Sequence, residues 1–290
     1  METSKTINYN DFKEALIQAY EASETAYNLT WELKKCKALH YGYTDETTYS
    51  FADTLNRMNE VVCSRAQVIS SDIVLDAGCG LGGSTVYLAR SVGCKVQGIN
   101  LSAQQVGYAR QYAKRNQVES LVSFQVADYL SMPFPDETFS VVWAIESVFH
   151  TPNKEKFLKE AFRVLKPGGR IVLADYLLDK KSKNASDENY LNRWFNGYAI
   201  PGLLYWKELE ALLQQQGFHK THHRDISRYV TPSSKRLYRL GNLAKATWPF
   251  ATVFMKHKGM KASQASSLVA QYKSLKKELW KYALIYAEKE

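Results

Sequence analysis

VLDAGCGLGG, residues Val74 to Gly83, carries a short apolar strand straight into a turn built mostly of glycine. Glycines let a backbone adopt positive φ and lie close to a ligand. The helix that begins near Gly83 points unpaired amide hydrogens into the same turn. Asp76 precedes the glycines, and a second strand, Lys95 to Ile99, arrives one helical segment later and ends at Asn100. The turn lacks the Lys-Ser/Thr ending of a P-loop. Its glycines, Gly78, Gly80, Gly82 and Gly83, are not spaced as in the dinucleotide GxGxxG. An acid before the loop suits a ligand with a cationic amino group better than a pyrophosphate, which points to S-adenosylmethionine.

Outward from this turn the chain alternates. Strands are expected over 72–77, 95–99, 121–126, 139–145 and 169–176, with helices over 83–91, 102–115 and 154–165 between them. Strands alternating with helices require a parallel sheet. Lys166-Pro167-Gly168-Gly169 reads as a helix stop followed by a strand start. Helix 206–216 ends at Gly217, strand 218–226 follows, and a last strand is expected from Trp280 to Ala287. Ahead of the core, Tyr9–Lys37 and Tyr49–Ile69 have helical spacing, with Leu55, Met58, Val61 and Val62 recurring at three and four residues. The segment from Pro232 to Leu275 is an insertion with helical periodicity.

Four segments resemble, in order, the class I S-adenosylmethionine-dependent methyltransferases. They are VLDAGCGLGG, VQGINLSAQQVGYAR (Val96 to Arg110), VSFQVADYLSMPFPDETFSVVWAIESVFH (Val122 to His150) and VLKPGGRIVLADYLL (Val164 to Leu178). Within that class, HYGY (His40 to Tyr43), INLSAQQ and ESVFH are similar to the tocopherol, sterol, sugar and natural-product small-molecule enzymes. The resemblance implies an α/β fold, with a Rossmann-like, mostly parallel seven-stranded sheet ending in an antiparallel hairpin and helices on both faces. We expect one domain over residues 1–290. It comprises an N-terminal helical lid (1–70), a cofactor-binding core (71–178) and cap insertions at 179–205 and 232–278.

The same resemblance assigns the cofactor contacts. Asp76 would hold the amino group of S-adenosylmethionine or brace the turn, while Gly78, Gly80 and Gly82 would present bare backbone. Cys79 lies in that loop, as a small packing residue rather than a nucleophile. At the end of the second strand, where most relatives carry Asp or Glu for the ribose hydroxyls, this chain has Asn100 followed by Leu101. An amide can accept from one hydroxyl and donate to the other, and Gln105 lies one helical turn on. Asp128 would accept from the adenine amine, with Tyr129 alongside, or cap a following turn. Tyr41 and Tyr43 would close over the cofactor or simply pack.

Ligands of open α/β sheets bind at the carboxyl edge, so the chemistry is expected where the fourth and fifth strands end. Glu146 and His150 follow the fourth strand, and Asp175 ends the fifth. Methyl transfer is an in-line displacement driven largely by alignment, and a hydroxyl acceptor gains further from a base. His150 is the candidate base, with Asp175 or Glu146 orienting its imidazole; the alternative is that His150 caps the helix starting near Pro152 or holds a water. Carbon methylation would instead want aromatic faces for a developing carbocation, and Phe149, Trp194, Phe195, Tyr198 and Trp206 are available. The Trp, Phe and Tyr density of Tyr190–Trp206 suits an apolar or ring-containing acceptor, or plain cap packing. Trp248, Pro249, Phe250 and Phe254 could complete that pocket or contact a second copy of the chain.

Composition sets the outer bounds. The 290 residues are 45% hydrophobic, ample for a core. No run approaches the roughly 18 apolar residues of a membrane helix, and METSKTINYN lacks the regions of a signal peptide, so a cytoplasmic enzyme is expected. Cys36, Cys63, Cys79 and Cys94 form no CxxC pair, so neither a metal site nor a disulfide framework is expected. The net charge of +9 is C-terminal: residues 181–290 carry 19 basic and 8 acidic side chains. Eleven basic residues and no acid lie between Ile226 and Lys277. A solvated helical face, an anionic acceptor or an anionic membrane surface would each account for this. Nucleic acid is not expected as a partner, because no NPPY-like motif or Pro-Cys nucleophile pair is present.

Overall fold

In the computed structural model, which describes residues 8–22, 37–254 and 262–290, the strand before the glycine turn lies third in a seven-stranded sheet. Its members are β1 (Ile73–Ala77), β2 (Lys95–Asn100), β3 (Val122–Val126), β4 (Phe139–Ile145), β5 (Leu165–Leu178), β6 (Phe218–Asp225) and β7 (Trp280–Lys289). The order is β3-β2-β1-β4-β5-β7-β6, parallel except for β7, which runs antiparallel to both β5 and β6. The order reverses between β1 and β4. That switch point opens a crevice at the carboxyl edge, where the glycine turn and the residues after β4 meet.

The helices are α1 (Tyr9–Ala22), α2 (Phe51–Ala66), α3 (Gly83–Ser91), α4 (Ala103–Arg115), α5 (Lys154–Val164), α6 (Ala185–Tyr198), α7 (Trp206–Gln215), α8 (Ser227–Phe254) and α9 (Ala262–Lys276). Strand alternation divides the core between the two faces of the sheet. Val141, Trp143, Val172, Ala174 and Tyr176 pack with Leu55, Met58 and Val62 of α2, Trp194 of α6 and Leu268 of α9. Val142, Ala144, Ile171, Leu173 and Leu177 pack with Phe157, Leu158 and Ala161 of α5 and Leu209 and Leu213 of α7. Cys79 belongs to a third cluster, with Val86, Ala109 and Phe124, that seats α3 and α4 on the β2–β3 edge.

Several boundaries depart from expectation for local reasons. α2 is shorter than 49–69 because Ser50 and Asp53 form a capping box and Gln67 turns left-handed at the other end. α5 stops at Val164, and Lys166–Gly169 is not a break before a strand. It is a bulge inside β5, whose pairing jumps from Phe139↔Leu165 to Val141↔Arg170. α6 forms inside the first insertion, where Asn184 caps it through the amide of Asp187. α8 starts at Ser227, directly after β6, and α9 packs against both α8 and α6. Of the helix expected over 9–37, α1 is formed, and residues 23–36, with Cys36, lie outside the described residues. The same holds for 255–261 and for the side chains of Trp248, Pro249, Phe250 and Phe254.

Candidate active site

β1 delivers Asp76 to the carboxyl edge, and the turn after it can be made only by glycine at its first position. Gly78 has φ +88°, and a Cβ there would lie 2.5 Å from Cβ of Ser147. Thr85 in the first turn of α3 donates its hydroxyl to Oδ2 of Asp76 at 2.6 Å, so the carboxylate ties strand to helix while lining the cleft. Burial raises its pKa to about 6. Cys79 is buried, with its thiol pushed well up by the same desolvation, which suits packing and not nucleophilic attack.

The far wall is made where β2 ends. Asn100 donates its amide to Oε1 of Gln105 at 2.5 Å and accepts from the backbone N–H of Leu101 at 2.9 Å. Ser102 caps α4 beside them through the amide of Gln105, and Asn100, Leu101 and Gln105 all line the cleft. Tyr129 also lines it, with its hydroxyl donated to the carbonyl of Ser147 at 3.1 Å. Asp128 stands outside that lining. Tyr9 of α1 donates to both its oxygens, at 3.0 and 2.9 Å, and the amide of Leu130 adds a third bond at 2.8 Å.

At Gly80 a Cβ would meet no atom within 4 Å, so the loop backbone borders open space. A carboxylate for an ammonium, side-chain amides for ribose hydroxyls and bare backbone between them match the polar groups of S-adenosylmethionine.

The residues after β4 form the other end of the cleft. Glu146 has φ +48° and accepts from the amide of Tyr41 at 2.5 Å, the hydroxyl of Tyr282 at 2.9 Å and the hydroxyl of Tyr176. Burial outweighs these donors and raises its pKa to about 8. Glu146 therefore fastens the HYGY segment to the sheet. Tyr41 turns its ring away from the cleft, against Tyr176 and Tyr282 at 6.0 Å, and Tyr43 stacks on Tyr229 at 4.2 Å. The residue of this segment that lines the cleft is His40, held by Nδ1 to the carbonyl of Tyr41 at 2.9 Å.

His150 is 6% exposed and lines the cleft. Its Nδ1 lies 3.3 Å from the carbonyl of Ala199, which can only accept, so Nδ1 carries the proton and Nε2 presents its lone pair. Nε2 takes the hydroxyl of Tyr20, on α1, at 2.6 Å. Burial lowers the pKa of the ring to about 4, keeping it neutral. Neither Asp175 nor Glu146 touches the imidazole. Asp175 faces the opposite side of the sheet, where it accepts from the amides of Phe149 and Tyr176 at 3.0 and 2.8 Å.

The expected aromatic acceptor wall lies elsewhere. Trp194 is fully buried against Trp280 and Tyr176, at 4.7 and 5.2 Å, and Trp206 stacks on His223 at 4.2 Å. Tyr198 packs against the core face, and Phe149 lies 3.9 Å from the ring of His150, backing it from behind. The apolar lining comes instead from Leu16 and Ile17 of α1, with Leu39 and Ile145. Leu16 and Tyr20 are four residues apart on one helix face, a spacing visible in the sequence. Nothing in the sequence marks Ala199 as the partner of His150. Lys37 is the one basic side chain besides the histidines in this lining among the described residues, so none of the described C-terminal basic residues lines the cleft. No helix of the described residues is long and apolar enough to cross a membrane.

Known proteins resemble the chain in sequence and in fold. A family profile described as "Methyltransferase domain" matches residues 75–173. The chain is 32% identical over 195 residues to the 27-O-demethylrifamycin SV methyltransferase of Amycolatopsis mediterranei, covering 67% of this chain and 71% of that protein. It is 33% identical over 181 residues to a sterol 24-C-methyltransferase of Eremothecium gossypii, covering 62% of this chain but only 47% of that longer protein. Among solved structures, the [4+2]-cyclase SpnF superposes with a TM-score of 0.78 at 23% identity, covering 96% of both chains.

Proposed function

The chain belongs to the class I S-adenosylmethionine-dependent methyltransferases, and from that premise we propose that it methylates a hydroxyl of a small, largely apolar or ring-containing acceptor. Bound S-adenosylmethionine supplies a methyl group activated by the sulfonium charge. Asp76, the loop from Gly78 to Leu81, Asn100, Leu101, Gln105 and Tyr129 are the residues assigned to hold it; Gly82 stands outside the cleft lining, against Ala109 and Phe124, and Asp128 joins the set if Tyr9 gives way.

The observation that carries the acceptor assignment is the hydroxyl already seated on Nε2 of His150. The phenol of Tyr20 marks a position where an O–H donates to a neutral imidazole of fixed tautomer. An acceptor hydroxyl in that place would give its proton to Nε2 as the oxygen becomes positive, a contribution of about 10² to 10⁴ in rate. Leu16, Ile17, Leu39 and Ile145 offer the acceptor body an apolar wall. The name of the Amycolatopsis relative also specifies methylation at oxygen.

Carbon methylation is the second reading, favoured by the name of the sterol relative. It is weakened by the burial of Trp194 in the core and by a cleft lining that does not include Trp206. A third reading is other chemistry on the same fold, since SpnF is described as a cyclase. The test is methyl-labelled S-adenosylmethionine with phenolic, sugar-bearing, prenyl and amine acceptors, using the native chain and His150→Ala. A methyl ether product, lost about 10²-fold or more in the variant while S-adenosylhomocysteine still binds, supports the reading. A product at carbon, or unchanged turnover in His150→Ala, overturns it.

A further inference from the structure

His150 rides on a single turn, Val148–His150, and two ionisable side chains, the buried Asp175 and the half-buried Lys154, grip that turn from opposite sides. A turn this short leaves nearly all its backbone groups without internal partners. Asp175 takes the donors: its carboxylate accepts from the amide of Phe149 at 3.0 Å and from that of Val148. Lys154, the first residue of α5, takes the acceptors: its ammonium donates to the carbonyls of Thr151 at 2.6 Å and Phe149 at 3.5 Å. A third bond, at 2.8 Å, runs to the carbonyl of Gly202. Gly202 lies three residues beyond Ala199, whose carbonyl holds Nδ1 of His150. Lys154 therefore joins the turn carrying the imidazole to the loop carrying its partner.

Neither charge lines the cleft. Both line a small apolar pocket behind the turn, walled by Leu173, Leu204, Leu209 and Ile285. An isolated charge in such a place is costly, whereas each of these has hydrogen bonds and the opposite charge nearby. Ala199 presents its carbonyl from a left-handed conformation, φ +50°, which a non-glycine residue adopts only when its surroundings hold it there.

We propose that Asp175 and Lys154 are positioning residues that fix the location and tautomer of His150 through the backbone of its turn and of the Ala199–Gly202 loop. The proposal rests on the reading of His150 as proton acceptor. Without Lys154 the loop loses its tie, Nδ1 loses a fixed acceptor, and the ring populates the Nε2–H form, which cannot take a proton at the cleft.

The test uses the full chain with Lys154→Met, which keeps the aliphatic stem, and Asp175→Asn, which keeps the shape. The imidazole nitrogens of His150 are followed by ¹⁵N NMR, and turnover is measured on the hydroxyl acceptor identified in the labelled-methyl panel. We expect Lys154→Met to convert a single Nδ1–H form into a mixture. It should lower kcat about 10- to 100-fold, leave S-adenosylhomocysteine affinity within about twofold, and add nothing to His150→Ala in the double variant. An unaltered imidazole spectrum, or losses that multiply in the double variant, overturns the proposal. If His150→Ala alone retains full turnover, the base reading fails and the imidazole spectrum still decides the positioning. If Lys154→Met does not fold, Asp175→Asn carries the same measurements.

Discussion

The hydroxyl of Tyr9 divides itself between the two oxygens of Asp128, at 3.0 and 2.9 Å, and so anchors the first turn of α1 to the end of β3. Lys13, one turn on, adds a weaker electrostatic tie at 3.8 Å. A hydrogen bond to a charged group contributes about 1.5 to 3 kcal/mol, less when partly exposed. Tyr9→Phe should therefore loosen α1 by about 1 kcal/mol, speeding amide exchange across residues 8–22 roughly fivefold and leaving the sheet unchanged. Exchange equal to the parent would show that α1 is held by other contacts.

Tyr20→Phe separates two roles for the second hydroxyl of α1. If the phenol merely occupies the acceptor position, its removal spares the acceptor a competitor. KM for the acceptor should then fall about three- to tenfold, with kcat within about twofold, as expected for a hydrogen bond worth about 1 kcal/mol. A fall in kcat of about 10-fold or more would instead place Tyr20 on the proton path.

Two groups titrate differently in the two kinetic parameters. Asp76, raised to about 6, must be ionised to attract an ammonium, so kcat/KM for S-adenosylmethionine should fall as pH drops through about 6. His150, lowered to about 4, must be neutral, so the acid limb of kcat should lie nearer 4 than the usual 6.5. A kcat limb at 6.5 would contradict a buried His150.

Stability carries the opposite sign. Burial raises Asp76 to about 6, Asp175 to about 7 and Glu146 to about 8. The folded state therefore holds these protons more tightly than the unfolded one, and the stability they confer is complete below about pH 4 and lost as pH rises through 6 to 8. Asp72, held low by Arg170 despite its burial, works the other way at acid pH. His150 and His40, both lowered to about 4, oppose that slope below about pH 6.5, so melting temperature should decline from about pH 6.5 to pH 8, and Glu146→Gln should flatten that decline. An equal slope in the variant would place the titration elsewhere.

The glycine turn offers a contrast between folding and binding. Gly78→Ala drives a methyl group into Ser147 at positive φ and should destabilise the protein by about 2 to 4 kcal/mol. Gly80→Ala, with φ +52° and no neighbour within 4 Å, should cost only about 1 kcal/mol. Its methyl group would nevertheless border the cleft, so cofactor affinity should drop more than stability. Thermal melts beside S-adenosylhomocysteine titrations check both, and intact binding in Gly80→Ala would remove the loop from the ligand site.

The elements of the sheet were legible because apolar alternation and glycine punctuation agree along Val74 to Leu178. Most expected boundaries there fall within two residues of those observed. The bulge at Lys166–Gly169 was not, since Pro-Gly-Gly marks a chain break equally well whether the strand stops or folds out and resumes. Trp194 illustrates a deeper limit. Aromatic density after β5 signals burial, and nothing local tells a ligand wall from a core, so only packing of α6 against the sheet places Trp194 beside Trp280. The sequence places Asp175 at the end of β5 but does not show its partners, the backbone amides of Phe149 and Tyr176. Strand alternation puts it with Leu173 and Leu177, away from the cleft, and its influence on His150 passes through backbone amides that no motif records.

The bond between Tyr20 and His150 has a consequence for turnover on a hydroxyl acceptor. The acceptor arrives as a donor able to replace the phenol at Nε2, and it leaves as an ether with no hydrogen to give. Once the methyl group was on oxygen, Tyr20 would again be the better partner for the imidazole, and its hydroxyl would return to the site it occupies in this structure. The enzyme would thus tell substrate from product by the single proton the reaction removes, and the return of one side chain would help clear the site for the next cycle.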